Sequence, residues 1–162
     1  MGAALTLALE GSGHSVVLIE ARSGDSGRGT QSGDARAIAL SYASRLILER
    51  LHAWSELPAT AIETIHISQR GGFGRTLIRA ADCAVPALGY VVNYDDLLHS
   101  LLAVPCSAKR LFDARLTAFD GTTVTVRTQA GELAFAPRLT VFADGAGIAD
   151  DRAAPAYSQD YR

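Results

Sequence analysis

GAALTLALEGSGHSVVLIE, residues 2–20, decides the fold class. Residues 2–10 are small, apolar and helix-forming, and the Gly11-Ser12-Gly13 cluster after them is a helix stop, so a short helix is predicted to open the chain. Residues 15–19, Ser-Val-Val-Leu-Ile, are an unbroken and mostly β-branched run of the kind found in parallel strands covered on both faces. A helix leading into such a strand predicts an α/β protein. The strand ends at Glu20, 18 residues after Gly2. In a dinucleotide-binding βαβ unit the last glycine of Gly-x-Gly-x-x-Gly lets the helix pack closely on the sheet, and an acidic residue about 20 positions later accepts the ribose hydroxyls. Gly2 and Glu20 fit those two roles, and the preceding strand and first two glycines would then lie before Met1. Any short helix followed by a strand ending in Glu shares this pattern. Nucleotide binding and a plain structural unit therefore both stay open on this pair alone.

Further along, residues 21–33 are rich in Gly, Ser, Arg and Asp without periodicity and predict a long loop. In Asp34-Ala35-Arg36-Ala37-Ile38-Ala39-Leu40 a lone arginine enters an apolar stretch. Its guanidinium suits bidentate contact with a phosphate, and a surface pair with Asp34 is the competing reading. Ser41 is a candidate N-cap for an amphipathic helix carrying Ala43, Ile47, Leu51 and Trp54 and ending before Pro58. A strand over 63–69 and a turn at 70–75 predict a hairpin of a separate sheet. Leu88 to Val92 reads as a strand, and Asn93 caps a helix bearing Leu97, Leu98, Leu101 and Leu102 that Pro105 ends. The turn signals Asp120-Gly121 and Ala130-Gly131 divide residues 114–136 into a three-stranded meander. Leu139 to Phe142 reads as a second buried strand, running into Asp144, Gly145, Ala146 and Gly147. Open α/β sheets place ligands at such strand ends, although Asp-Gly is also a common plain turn.

Composition narrows the function classes. The 162 residues are 48% hydrophobic and 20% charged, which fits a globular protein with a core and argues against disorder. A net charge of −2 with mixed signs gives no nucleic-acid footprint and no polybasic membrane patch. Cys83 and Cys106 lack metal-ligand spacing and read as reduced thiols, so no metal is expected. His14 falls in a predicted turn, His52 and His99 on helices and His66 in a strand, without a catalytic signature. No nucleophile elbow, phosphate loop or His-Glu-x-x-His helix is present. The chain has no apolar run near the ~20 residues of a membrane-spanning helix and no signal-peptide pattern, so the expected location is cytoplasmic.

Taken in order, DARAIALSYASRLILERLHAW (34–54), IHISQRGGFG (65–74), LGYVV (88–92), ADGAG (143–147) and YSQ (157–159) resemble the FAD-dependent aromatic-ring hydroxylases. Among these the chain is most similar to the 2-polyprenyl-6-methoxyphenol hydroxylases of ubiquinone biosynthesis. The resemblance implies an FAD-binding Rossmann-like domain of the glutathione-reductase type with part of a β-sheet substrate domain. The first strand and the C-terminal half would be missing. Residues 1–60 and 86–150 would form the FAD-binding part, with the meander at about 114–136. Residues 61–85 and 151–162 would begin the substrate-domain sheet.

Carried over by resemblance, Gly2 is the last fingerprint glycine, Glu20 the ribose ligand and Arg36 a flavin contact. Asp144-Gly145 becomes the motif beside the flavin diphosphate and the incoming NAD(P)H. Many relatives have an arginine where Tyr94 stands, which leaves Asn93 and Tyr94 without a transferred role. The implied activity is NAD(P)H- and O₂-dependent hydroxylation of a polyprenylated phenol. The cofactor carries the difficult chemistry, so no catalytic side chain is assigned. A peripheral place at the inner membrane, or in a quinone-biosynthesis complex, would suit the substrate. Alternatives are a hydroxylase of a small soluble phenol, a catalytically inactive flavoprotein fragment or assembly module, and a plain NAD-binding domain. With the first strand missing, the isolated chain is expected to bind FAD weakly if at all and to be inactive.

Overall fold

The computed structural model of the chain describes residues 1–24, 36–69, 71 and 74–143. The small apolar opening forms helix α1 (Gly2–Ala8), with Thr6 and Leu7 buried. Gly11 and Gly13, at φ 73° and 79°, turn the chain in a left-handed conformation that glycine adopts without a Cβ penalty. Strand β1 (Val17–Ile19) follows, half-buried where full burial was expected. Its partner, the parallel strand β7 (Lys109–Leu111), has no strand pattern in the sequence. The pairing continues beyond both strands, because Glu20 N–H donates to Leu111 O at 2.8 Å and Ala114 N–H to Glu20 O at 3.0 Å.

A second sheet has the order β2, β6, β3, formed by Ala37–Ser41, Gly89–Asn93 and Ala59–Ile62, and both of its pairings are antiparallel. Central β6 buries Gly89, Tyr90 and Val92 and leaves Val91 outward, the alternation that a pleated strand imposes. Helices α2 (Tyr42–Arg50) and α3 (Tyr94–Ala103) start directly at the ends of β2 and β6. Each start has the side-chain cap that the sequence predicts. Ser41 Oγ accepts from Ser44 N–H at 3.1 Å, and Asn93 Oδ1 accepts from Asp95 and Asp96 N–H at 2.8 and 3.4 Å. The three helices meet in one core of Leu7, Leu48, Ala53 and Leu101, with Trp54 and Leu97 packed against it.

Arg45 of α2 ties this core to the second sheet. It pairs with Glu49 at 2.8 Å, donates to Tyr90 Oη, and lies 5.6 Å from the Trp54 ring and 5.1 Å from the Tyr90 ring. The hydrogen bond to Glu49, then that to Tyr90, raises the guanidinium pKa further from its ordinary value. Trp54 and Tyr90 themselves meet edge to face at 5.1 Å.

The hairpin expected near residues 63–79 is present as strands β4 (Thr64–Ser68) and β5 (Arg75–Arg79), which among the described residues pair only with each other as a two-stranded sheet. A short 3₁₀ turn, Ala81–Cys83, follows it. The meander is also present as β8 (Arg115–Phe119), β9 (Val124–Thr128) and β10 (Gly131–Phe135), in the order β10, β9, β8. Its register shifts at Leu116/Ala118, so Thr117 is the extra residue of a bulge, and its hydroxyl donates to Thr125 O at 3.2 Å. A second core of Ala114, Val124 and Val126 joins the meander to Ile19 and Leu111 of the parallel pair.

Three expectations need correction. Leu139 to Phe142 forms no strand: Leu139, Val141 and Phe142 are exposed, and no described strand pairs with them. A strand needs a neighbour to satisfy its N–H and C=O groups, and an apolar run does not supply one. Phe142 is anchored instead edge to face on Phe119 at 5.4 Å. On α2, the buried residue is Leu48 and not Ile47. His52 lies beyond the helix end, with φ 58°, and closes it. Cys83 is exposed and Cys106 half-buried, and neither is in a disulfide.

Asp120, at the β8–β9 turn, gives a pH prediction. Its Oδ1 accepts from Thr123 N–H at 2.7 Å, from Thr122 N–H at 2.8 Å and from the Thr122 hydroxyl at 2.9 Å. These bonds, Thr123 N–H first, lower the carboxyl pKa from 3.8 to about 2. The folded value is the depressed one, so the contribution is complete above the unfolded pKa and is lost as pH falls through about 2. In denaturant titrations, the stability gap between wild type and Asp120→Ala should be constant down to about pH 5 and close between about pH 4 and 2. A gap that persists unchanged to the acid end would contradict the carboxylate's role.

Candidate functional site

Helix α1 lies close on β1. A Cβ built on Gly2 would meet Leu18 Cδ1 at 3.4 Å and Ala143 Cβ at 3.6 Å, which are ordinary contact distances. A methyl group would therefore fit at Gly2, and the packing there does not require glycine. Asp144 and Gly145 themselves, like Asp34, lie outside the described residues.

Glu20 stands at the C-terminal end of parallel β1, two residues beyond the Leu18 on which Gly2 packs. Its backbone is fixed on both sides by the bonds to Leu111 and Ala114. Glu20 is half-buried as a residue, and its Oε1 accepts Arg22 N–H at 3.0 Å in an exposed bond. Each carboxylate oxygen has more than one lone-pair site, so capacity remains for a hydroxyl donor.

Arg36 stands at the entrance of β2, where its carbonyl accepts Tyr94 N–H at 3.0 Å. Its guanidinium carbon lies 5.4 Å from the centroid of the Tyr94 ring. Arg22 reaches the same ring, at 5.9 Å. Two exposed guanidinium groups from distant parts of the chain thus share one half-buried aromatic ring, and Arg22 stands two residues past Glu20. Sequence reasoning singled out Glu20 and Arg36 and not Arg22. The available signal was an arginine two positions after a strand-ending acid.

The arrangement offers a carboxylate acceptor and two guanidinium donors, the complement of a ligand with both hydroxyl and anionic groups. Two open clefts among the described residues lie elsewhere. One, about 310 Å³, includes Glu63, Arg79 and Pro86, and the other, about 340 Å³, includes Leu7, Arg50 and Val104. Neither is lined by Glu20, Arg22, Arg36 or Tyr94. Among the described residues, no three His, Cys, Asp or Glu side chains gather as a metal site, and no helix is long and apolar enough to cross a membrane. The architecture is mixed α/β, with three helices and four small sheets among the described residues. No protein-family model matches the chain.

Proposed function

We propose that the chain is part of an FAD-dependent aromatic monooxygenase that uses NAD(P)H and O₂ to hydroxylate a polyprenylated phenol in ubiquinone biosynthesis. The observation that carries the reading is the position of Glu20. It ends a parallel strand two residues past Leu18, on which the first residue of α1 packs, and open α/β sheets take their ligands at the carboxyl ends of strands. A Rossmann-like FAD domain would use those positions for the adenosine half of the cofactor. Glu20 would accept the ribose hydroxyls, and Arg36 would donate to the diphosphate. FAD, when bound, supplies acceptance of hydride and activation of O₂. The chain's own contribution is to hold and orient, and no side chain receives an acid or base role. A cytoplasmic protein resting on the membrane surface would have access to such a substrate.

Titration of the chain with FAD, followed by quenching of flavin fluorescence, tests the cofactor. The expected result is weak uptake displaced by ADP and weakened about tenfold in Glu20→Ala, as for loss of a hydrogen bond to a charged group. Glu20→Gln, which keeps an acceptor for Arg22 N–H, separates loss of the charge from loss of the turn. FAD uptake with unchanged affinity in Glu20→Ala would overturn the reading.

A further inference from the structure

We propose that the β4–β5 hairpin is a self-association surface, through which two copies of the chain pair along β4 into one four-stranded sheet. A two-stranded ribbon is marginal alone in water, and three or more strands with an apolar face are needed for independent stability. Here the ribbon pairs with no other described strand, and every residue of β4 is exposed. Directly opposite residues share a face, so one face carries Ile65 beside Ile78 and Ile67 beside Thr76. The other face carries His66 beside Leu77, with Arg75 and Arg79 on either side. Ile65 is 39% exposed and Ile67 54%, which leaves the isoleucine face open.

The two strands differ in charge as free edges. β5 has Arg75 and Arg79 at its ends, and antiparallel pairing of two β5 strands about Leu77 would set Arg75 of each copy against Arg79 of the other. Like charges directly opposite are destabilising, so that edge is guarded. β4, Thr-Ile-His-Ile-Ser, has no lysine, arginine, acid or proline to guard it. It is also self-complementary. With a twofold axis at His66, Ile65 faces Ile67 of the second copy and Thr64 faces its Ser68, a pair that hydrogen-bonds across strands. Glu63 and Gln69, beyond the strand ends, meet as acid and amide. A shift of two residues either way sets an isoleucine against Glu63 or Gln69. The centred register merges the two isoleucine faces and gives partners to the outward N–H and C=O groups of β4. The outer edges of the joined sheet are then the arginine-guarded β5 strands, so assembly closes at two copies. None of Glu20, Arg22, Arg36 or Tyr94 takes part, and the dimer stands independently of the cofactor reading.

The test is sedimentation velocity of the 162-residue chain from low micromolar to submillimolar concentration. One strand pair with its flanking face is a small interface, so the expected result is a weak, concentration-dependent monomer–dimer equilibrium without larger species. Ile67→Lys, which places a charge opposite Ile65 of the second copy, should weaken the dimer at least about tenfold. Thr76→Lys adds the same charge to the same face one strand away from the axis and should stay within about threefold. Crosslinking reads the register. In a Cys83→Ser background, His66→Cys copies face each other and should be joined by a short bismaleimide. Thr64→Cys copies, four residues out of register and about 13 Å apart, should not be joined. A chain that stays monomeric at every concentration overturns the proposal, whether or not the hairpin binds vesicles of anionic lipid. So does a dimer that Ile67→Lys leaves unchanged, or equal crosslinking at positions 64 and 66. Where Ile67→Lys does not fold, the crosslinking pair decides.

Discussion

Gly89→Ala is expected to destabilise the protein by about 3 kcal/mol, the upper range for a residue forced into a packed site, and to lower Tm by about 10 °C. Gly89 opens the central strand of the second sheet, opposite Ser41 on one side and Ile62 on the other. A Cβ added there would run into Leu40 O, far inside van der Waals contact, while Ser41 Cα lies at an ordinary 3.6 Å. The obstacle is backbone, so no rotamer change removes it. The strands cannot simply part, because Tyr42 N–H donates to Leu88 O at 3.3 Å and Leu88 N–H to Ile62 O at 2.8 Å across this point. Displacing Ser41 would also loosen the cap of α2.

Gly121 is the contrasting case. It turns the chain between β8 and β9 at φ 99° with nothing within 4 Å of an added Cβ, so Gly121→Ala meets backbone strain alone, about 1 kcal/mol. Thermal unfolding of the two variants side by side is the check. A Gly89→Ala protein melting within about 2 °C of wild type would show that β2 and β6 can separate without loss, contrary to the packing described.

The reason Gly89 carries so much is not visible from its neighbours in sequence. A glycine inside Leu-Gly-Tyr-Val-Val weakens a strand on propensity alone and gives no hint that Leu40 lies against it. The elements that were legible are those with local causes. The small apolar run made α1, Ser41 and Asn93 capped α2 and α3, and Asp120-Gly121 set the first meander turn. The strands that were missed depend on distant partners. Lys109–Leu111 has neither alternation nor a β-branched residue, and it is a strand because β1 lies beside it. Leu139 to Phe142 is the opposite error, strong local preference with no partner among the described strands.

The candidate site divides along the same line. Glu20 and Arg36 were legible because each interrupts a pattern, an acid ending an apolar strand and a cation inside an apolar stretch. Their relation to each other was not. It passes through Tyr94 and Arg22, which meet only after β1 and the second sheet are in place. A cation–π contact at an exposed site contributes about 0.5–1 kcal/mol, too little to impose a sequence pattern of its own.

Leu48→Ala is expected to cost about 3 kcal/mol, in the range for a buried leucine whose cavity cannot collapse, whereas Ile47→Ala should stay within about 0.5 kcal/mol of wild type. Helical spacing favours Ile47, because it stands in register with Ala43 and Leu51. The structure reverses the ranking: Leu48 is 6% exposed and Ile47 56%. The cause is the way the helix stops. His52 takes φ 58°, its N–H donates to Glu49 O at 3.0 Å, and Ala53 N–H donates to Leu48 O at 2.9 Å. That pair of bonds is a Schellman closure, formed here without the usual glycine. It folds Ala53 back over Leu48, and both enter the core with Leu7 and Leu101. Spacing counted from Ile47 through Leu51 to Trp54 runs past this closure, where helical geometry no longer applies. Truncating Leu48 removes the hydrophobic contact of the closure and leaves a void among three helices at once. Chemical denaturation of the two single variants decides the matter. Equal losses, or a larger loss at Ile47, would place the buried face of α2 where periodicity alone puts it and would contradict the helix end described here.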